Sequence, residues 1–437
     1  MMTTHIRTTQ TAEHIGQRVK LKGWLHARRR MGGVTFLILR DGWGTIQAVC
    51  ASGEAIEALE RAGAGVESVV EVEGTPAAQS RAPGGVELIE PALTVISPVR
   101  EAAPVTINKP TIQAGQAAIL DHAPLTLRHP ARRAIFRMSA EAMAGFRATL
   151  GAQGFTEIQS PKIVASATES GANVFGIDYF GTRAYLAQSP QFYKQIMVGV
   201  FERVFEVGPV FRAEPHATPR HINEYVSLDI EMGFIENHFS VMAVLRGVLA
   251  GMLGRLEETC GAELALSGAI VPQVPERIPH VHFQEAKALL FEATGEDTRE
   301  EPDLSPGEER WLGQWAQRQW GSDFLFVTGY PMVKRPFYTH PEAGDSRWSN
   351  SFDLLFRGME LVTGGQRLHL FESYVEALKR AGMPQAPFEH YLEAFRFGMP
   401  PHGGFAIGLE RFLMQLTGES NLRATTLFPR DLHRLSP

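Results

Sequence analysis

Residues Phe205–Glu231, FEVGPVFRAEPHATPRHINEYVSLDIE, decide the fold. Phe205, Val207, Val210 and Phe211 are alternating and then continuous apolar positions, the pattern of a buried strand. Arg212 and Glu214 stand one residue apart and would share a face of that strand. EPHATPR, with Pro215 and Pro219, reads as a loop. Val226, Leu228 and Ile230 alternate again, with Asp229 and Glu231 between them. The unit is strand, charged loop, strand, with Arg212, His216, Arg220 and His221 gathered at the turn. An arginine at a strand end beside a cationic loop suits a phosphate chain, because the guanidinium is a rigid bidentate fork. A hairpin with a solvated charged turn accounts for the same pattern equally well.

Upstream, Ile135, Met138, Ala142, Phe146 and Leu150 recur at threes and fours, which predicts a long helix from Ala131 stopped by Gly151 and Gly154. FTEIQSPKIV then alternates as a strand containing Pro161, which demands an edge, a bulge or a subunit contact; an ordinary edge proline is the simplest reading. ATESGANVF is a small polar loop carrying Glu169. Gln188-Ser189-Pro190 opens a helix that puts Gln191 and Lys194 on one face. Downstream, residues 236–317 hold the amphipathic patterns VMAVLRGVLAGMLGRLEE and FQEAKALLFEATG, an inserted or covering helical region with no evident chemistry. Strands resume in RWSNSFDLLFRGMELVTGGQRLH. Asp353 and Glu360 lie seven apart across a strand pair turned near Arg357-Gly358, with Thr363 and Arg367 beyond. Two carboxylates and a hydroxyl near phosphates form a magnesium pattern. FAIG leads into a helix whose first turn holds Arg411, placed to meet an anion at the dipole's positive end. Neither G-x-x-x-x-G-K-[ST] nor G-x-G-x-x-G occurs, so a nucleotide would bind on an antiparallel sheet through arginines.

The first hundred or so residues read as a separate β domain: short β-branched segments are broken by Gly32-Gly33, Gly42, Gly44 and Pro83-Gly84-Gly85, as in a small barrel. Arg28, Arg29 and Arg30 on one strand, with Phe36 and Gln47 on the next two, fit an OB-fold that stacks single-stranded bases. Taken alone, Phe36 reads better as core and the arginines as a solvated edge. PVREAAPVTINKP is proline-punctuated, so the boundary falls near 99–109 and an ordered linker runs to Pro130.

A chain of 437 residues exceeds one ordinary domain. Its net charge of −6 argues against attachment to nucleic acid by bulk charge, though not against a local basic patch. Cys50 and Cys260 are isolated, which excludes a disulfide framework and a cysteine zinc site and makes a reducing cytoplasm the expectation. No apolar run reads as a membrane span, and MMTTHIRTTQ is no signal peptide.

The motifs together resemble the class II aminoacyl-tRNA synthetases. The long helix, strand and Pro161 are similar to the first family motif. FRAE with Arg220-His221 is similar to the second, and GLER (Gly408–Arg411) to the third. QSPQFYKQIM, SFDLLFRGMEL, GGQR, LFPRD and the OB-like domain resemble the aspartyl branch of archaeal type. The resemblance covers essentially the whole chain. It implies an α+β fold: a six-stranded antiparallel catalytic sheet with helices (131–437, including the helical region 236–317), preceded by an anticodon-binding OB-fold (1–100) and a hinge (101–130). It also implies a homodimer with Pro161 at the interface. The substrates implied are ATP, L-aspartate and tRNA, and the cofactor Mg²⁺. Arg212 would hold the α-phosphate and the aspartate carboxylate, and Arg411 the γ-phosphate, these two being the catalytic cations. Glu214, Arg220, His221, Glu360 and Gly408 would complete the ATP site. Asp353, Glu360 and Thr363 would serve magnesium. Glu169 and Gln191 would hold the α-amino group, Lys194 and Arg367 the side-chain carboxylate, with Thr363 beside them. His26, Arg29, Phe36, Gln47 and Pro83 would meet the anticodon. His26 and Pro83 match relaxed members of the branch, which implies charging of both tRNA-Asp and tRNA-Asn and a tRNA-dependent amidotransferase downstream. A strictly tRNA-Asp enzyme, an asparaginyl-tRNA synthetase or asparagine-making paralogue, and a catalytically silent tRNA-binding module are the alternatives.

Overall fold

The computed structural model describes residues 4–51, 53–165 and 173–437. The chain divides into two compact units, Met1–Pro130 and Ala131–Pro437.

In the first unit, strands Val19–Met31, Val34–Arg40, Thr45–Cys50, Val86–Ser97 and Val69–Ala78 pair in that order, and the last pairs back with the first. Closure removes the sheet edges and makes a five-stranded barrel. Leu21, Leu25, Leu37, Leu39, Ile46, Ala48, Val70, Val72 and Leu88 fill it. They alternate with outward residues, as period-two strands require.

In the second unit, six antiparallel strands run Phe324–Thr328, Ser351–Phe356, Met359–Gln366, His402–Gly408, Glu224–Gly233, Arg203–Phe211. One short parallel strand flanks each edge: His280–His282 on one side and Thr156–Glu157 on the other. The helix Pro130–Ala152 buries Ile135, Met138, Ala142, Phe146 and Leu150, the stripe its periodicity predicts. It packs with the helix His238–Thr259 and one sheet face in a single core. That second helix corrects the sequence reading, because by length and composition it is apolar enough to cross a bilayer. Val241, Leu245, Val248, Leu249, Met252 and Leu256 bury one side of it, which makes it a core helix here.

FTEIQSPKIV is not one strand. Pairing occurs only at Thr156–Glu157 and Ile163–Val164, and exposed Pro161 lies in the irregular stretch between them. A proline has no N–H to give a ladder, so the segment breaks around it.

Candidate active site

Arg212 and Glu214 follow the end of the strand Arg203–Phe211 rather than lying within it. The chain turns there because Arg212 N–H donates to Asn223 O (2.9 Å) and Glu214 N–H to Arg212 O (2.8 Å). Both still face one cleft of about 270 Å³, with Arg220, His221, Tyr225, Ser227, Glu360, Thr363, Gly408, Glu410 and Arg411. The Arg212 guanidinium lies 5.7 Å from the Tyr225 ring centroid, a cation–π contact. Arg411 Nη1 donates to Glu360 O (3.1 Å) and stands 3.5 Å from Glu360 Oε1. Burial, then the charge of Arg411, lowers the pKa of His221, so this imidazole is neutral.

Glu360 and Thr363 are three apart and would oppose each other on a regular strand. A bulge at Leu361, where Leu354 pairs with Val362 but Leu355 with Glu360, re-aims them. Thr363 Oγ1 then donates to Glu360 Oε1 at 3.4 Å. Asp353 sits opposite Thr363 on the neighbouring strand. The turn between the strands uses Arg357 and Gly358 at φ 49° and 74°, which a tight hairpin demands. Asp353 is fully buried, 3.0 Å from Arg335 Nη2. Burial pushes its pKa up to about 6; Arg335 opposes the shift and Glu360 adds to it. Its Oδ1 is buried without a hydrogen-bond partner. Asp353, Glu360 and Thr363 bring together oxygen donors of the kind a hard divalent cation takes. Among the described residues no three His, Cys, Asp or Glu side chains form a ready-made metal cage.

Behind the cleft lies a buried charge cluster. Lys194, on the helix Gln191–Phe201, places Nζ 2.9 Å from Asp229 Oδ1 and 3.5 Å from Glu231 Oε2. Arg367 Nε donates to Glu231 Oε1 (2.9 Å) and Nη2 to Gly404 O (3.1 Å). A Cβ at Gly404 would fall 2.3 Å from Glu231 Oε2, so only glycine leaves the carboxylate room. Burial would raise the pKa of Glu231, but Arg367 and then Lys194 outweigh it and hold the group below its usual range. His402 packs beside them with Nε2 buried and unpartnered, and burial lowers its pKa to about 4. Gln191 Nε2 is likewise buried without a partner. Glu169 lies outside the described residues.

Sequence reading missed Asp229, Glu231, Arg335 and His402. Asp229 and Glu231 alternate with apolar residues as on a strand with one solvent face, so their burial left no signal in the sequence.

In the first unit, Leu37 and Leu39 enter the barrel core, while half-buried Phe36 lies on the outer face with Gln47. The core reading of Phe36 is thus corrected. Exposed Arg29 sits opposite Phe36, and Gln47 Nε2 donates to Glu87 (3.1 Å). Pro83 is exposed and opens the turn Pro83–Gly85. His26 is the extra residue of a bulge. Its Nδ1 lies 2.9 Å from Arg40 Nη1, and Arg40 is clamped by Glu67 through two 2.8 Å bonds.

A larger cleft of about 820 Å³ carries Glu236, Glu285 and Glu342 with His238, His280, His282, His340 and His369. Its described wall has no Lys or Arg, so a triphosphate would be repelled there.

Residues 116–432 match the model of class II tRNA synthetases (D, K and N), and residues 19–96 match that of an OB-fold nucleic acid binding domain. An aspartate–tRNA(Asp/Asn) ligase from Thermus thermophilus is 48% identical, covering 97% of this chain and 98% of its own length. One of the same name from Deinococcus radiodurans is 48% identical with both chains covered throughout. The crystal structure of an asparaginyl-tRNA synthetase from Pyrococcus horikoshii, complexed with asparaginyl-adenylate, superposes with a TM-score of 0.92 at 31% identity over the full length of both chains.

Proposed function

Because the chain belongs to the class II tRNA synthetases of the D, K and N group, we propose that it activates L-aspartate with ATP and charges both tRNA-Asp and tRNA-Asn. The observation that carries the chemistry is one cleft holding Arg212 and Arg411, with the Lys194–Asp229–Glu231–Arg367 cluster behind it.

Aspartate docks with its side chain toward Lys194 and Arg367 and its α-amino group toward Gln191, beside Thr363. Its α-carboxylate attacks the α-phosphorus of ATP in line, forming the acyl–phosphate bond as pyrophosphate leaves. The 3′-terminal ribose hydroxyl of tRNA then takes the aspartyl group and AMP departs. Positioning and charge stabilisation carry the rate. Arg212 meets charge on the α-phosphate, Arg411 on the γ-phosphate, and Arg220 the outer phosphates. Glu214 and His221 frame the nucleotide, and Gly408 leaves its backbone open to it. Magnesium, held by Asp353, Glu360 and Thr363, would neutralise phosphate charge.

The anticodon meets the outer barrel face, with the shared middle U on Phe36 and Gln47, Arg29 on the backbone, and the third base near His26 and Pro83. Burial and then Arg40 lower the pKa of His26 to about 4, so it is neutral. With Nδ1 accepting from Arg40, the proton sits on Nε2, a donor only. Cytosine and uracil both offer O2 to such a donor, so a neutral His26 accepts either. A homodimer through Pro161 at the sheet edge, and a downstream tRNA-dependent amidotransferase acting on aspartyl-tRNA-Asn, complete the reading. The test is aspartylation of purified tRNA-Asp and tRNA-Asn. Charging of both supports it; charging of neither, or transfer of asparagine, defeats it.

A further inference from the structure

The helix Pro306–Trp320 lies in the region whose sequence shows no chemistry. Trp311, Leu312, Trp315 and Ala316 anchor it beneath the sheet against Leu325, Val327 and Leu355. Its first two turns also press on the hairpin at Arg357-Gly358. A Cβ at Gly313 would fall 2.4 Å from Gly358 N, and a Cβ at Gly358 2.8 Å from Arg310 Cα, so the two glycines permit the contact. That approach carries Glu309, 7% exposed, against Arg220 and Glu360, two residues that line the cleft. Glu309 Oε2 accepts from Arg220 Nη2 at 2.6 Å and from the backbone N–H of Glu360 at 3.4 Å. One carboxylate oxygen therefore joins the loop arginine to the strand that bears Glu360.

We propose that Glu309 is a positioning residue of the nucleotide site: it holds Arg220 by one nitrogen, leaves the rest of the fork for the outer phosphates of ATP, and fixes Glu360 in register with it. The inference rests on the reading of the cleft as an ATP site. A freely rotating arginine must be ordered at the moment of binding, whereas a clamped one is ordered already. Charge on Glu309 also keeps the guanidinium from turning to Glu360 and occupying a metal ligand.

The test is equilibrium binding of Mg-ATP to the full-length protein without amino acid, for the wild type, Glu309→Gln, Arg220→Ala and the double variant. Glutamine keeps the shape and one acceptor, so folding is preserved; thermal unfolding checks this. Glu309→Gln should weaken Mg-ATP binding about tenfold, and aspartate affinity should change less than about twofold. In the Arg220→Ala background the same substitution should add less than about twofold, because the residue acts through Arg220. Tighter binding in Glu309→Gln would show a latch that competes with ATP and would overturn the proposal. So would unchanged binding, an equal loss of aspartate affinity, or additive effects. Aspartate-dependent pyrophosphate exchange by the wild type tests the functional reading separately, since Mg-ATP binding needs no particular amino acid.

Discussion

The two halves of the candidate site both pair acids with cations, but the pKa values of their buried carboxylates shift in opposite directions. In the inner cluster Lys194 and Arg367 face Asp229 and Glu231, two cations against two carboxylates, at 2.9–3.5 Å. In the outer one Asp353, Glu360 and Glu309 crowd around Arg335, Arg220 and Arg411 with less complete pairing. Burial acts to raise the pKa of Asp353, Glu309 and Glu231. It wins at Asp353 and at Glu309, whose pKa values are raised, and loses at Glu231, whose pKa is lowered. The inner cluster matches two cations to two carboxylates, with Glu231 Oε2 left without a hydrogen-bond partner. The outer one also matches three carboxylates with three arginines, yet burial still prevails at Asp353 and Glu309. The sequence reading put Lys194 and Arg367 at a substrate carboxylate as if both were free. Their prior pairing means that a substrate carboxylate placed there would meet two cations already engaged by Asp229 and Glu231.

If the inner cluster is closed, removing one cation must hurt the fold. Lys194→Ala leaves Asp229 buried and uncompensated and should cost about 3–5 kcal/mol of stability. Arg411→Ala opens a partly exposed contact at 3.5 Å and should cost less than about 1 kcal/mol. Denaturant unfolding of both variants makes the comparison; equal losses would erase the distinction.

Activity should divide the other way. Arg212→Ala removes a cation from the α-phosphate and should lower adenylate formation by a factor of about 10²–10³, or 2.7–4 kcal/mol, with the fold intact. Aspartate-dependent pyrophosphate exchange reads this directly, and near-normal exchange would remove Arg212 from the chemistry.

The burial of Asp353 has a pH signature. The Asp353 pKa, raised to about 6, lies above its unfolded value, so the folded protein binds the extra proton between about pH 4 and 6. Without ligand, stability should therefore rise as pH falls through 6, while magnesium binding weakens as the carboxylate is lost. Asp353→Asn should stabilise the ligand-free protein by about 1–2 kcal/mol, abolish that pH dependence and weaken magnesium-dependent exchange. A destabilised Asp353→Asn protein would mean that Arg335 already satisfies the acid.

The sheet strands, the long helix and the cationic hairpin were legible because each follows from periodicity. Arg212 and Arg220 beside a charged turn, Arg411 at a helix start, and Glu360 with Thr363 suggested phosphate and magnesium chemistry. A solvated turn explained the hairpin equally well, however, and the separate roles came only from the family resemblance. The convergence of Glu360 with Thr363 was not legible, because a bulge breaks the period-two rule that would separate them. Asp229 and Glu231 were visible but carried no role, because their partners come from a helix and a strand far along the chain. Glu309 was invisible: on its helix it reads as a surface acid, and only the contact at Gly313 and Gly358 carries it inward.

The barrel holds a third buried pair, closed like the inner cluster, and it sharpens the comparison at its smallest scale. Arg40 and Glu67 are 1% and 3% exposed at the side chain and bond at 2.8 Å. The pair performs no chemistry, but it fixes Nδ1 of His26 as an acceptor and so Nε2 as the donor. A donor can meet O2 of cytosine or of uracil, and the difference between the two bases at their N3 and C4 edges goes unread. The two tRNAs should therefore be aspartylated with efficiencies within about tenfold, less than about 1.4 kcal/mol apart. Nitrogen-15 shifts of His26 should report the Nε2–H form at neutral pH. His26→Trp with Pro83→Lys replaces the tolerant donor with bulk and a movable cation, and should raise the preference for tRNA-Asp chiefly by weakening tRNA-Asn. A wild-type preference beyond about a hundredfold would show that the third base is read elsewhere. A protonated or Nδ1–H imidazole would show that the Arg40–Glu67 pair does not set the donor.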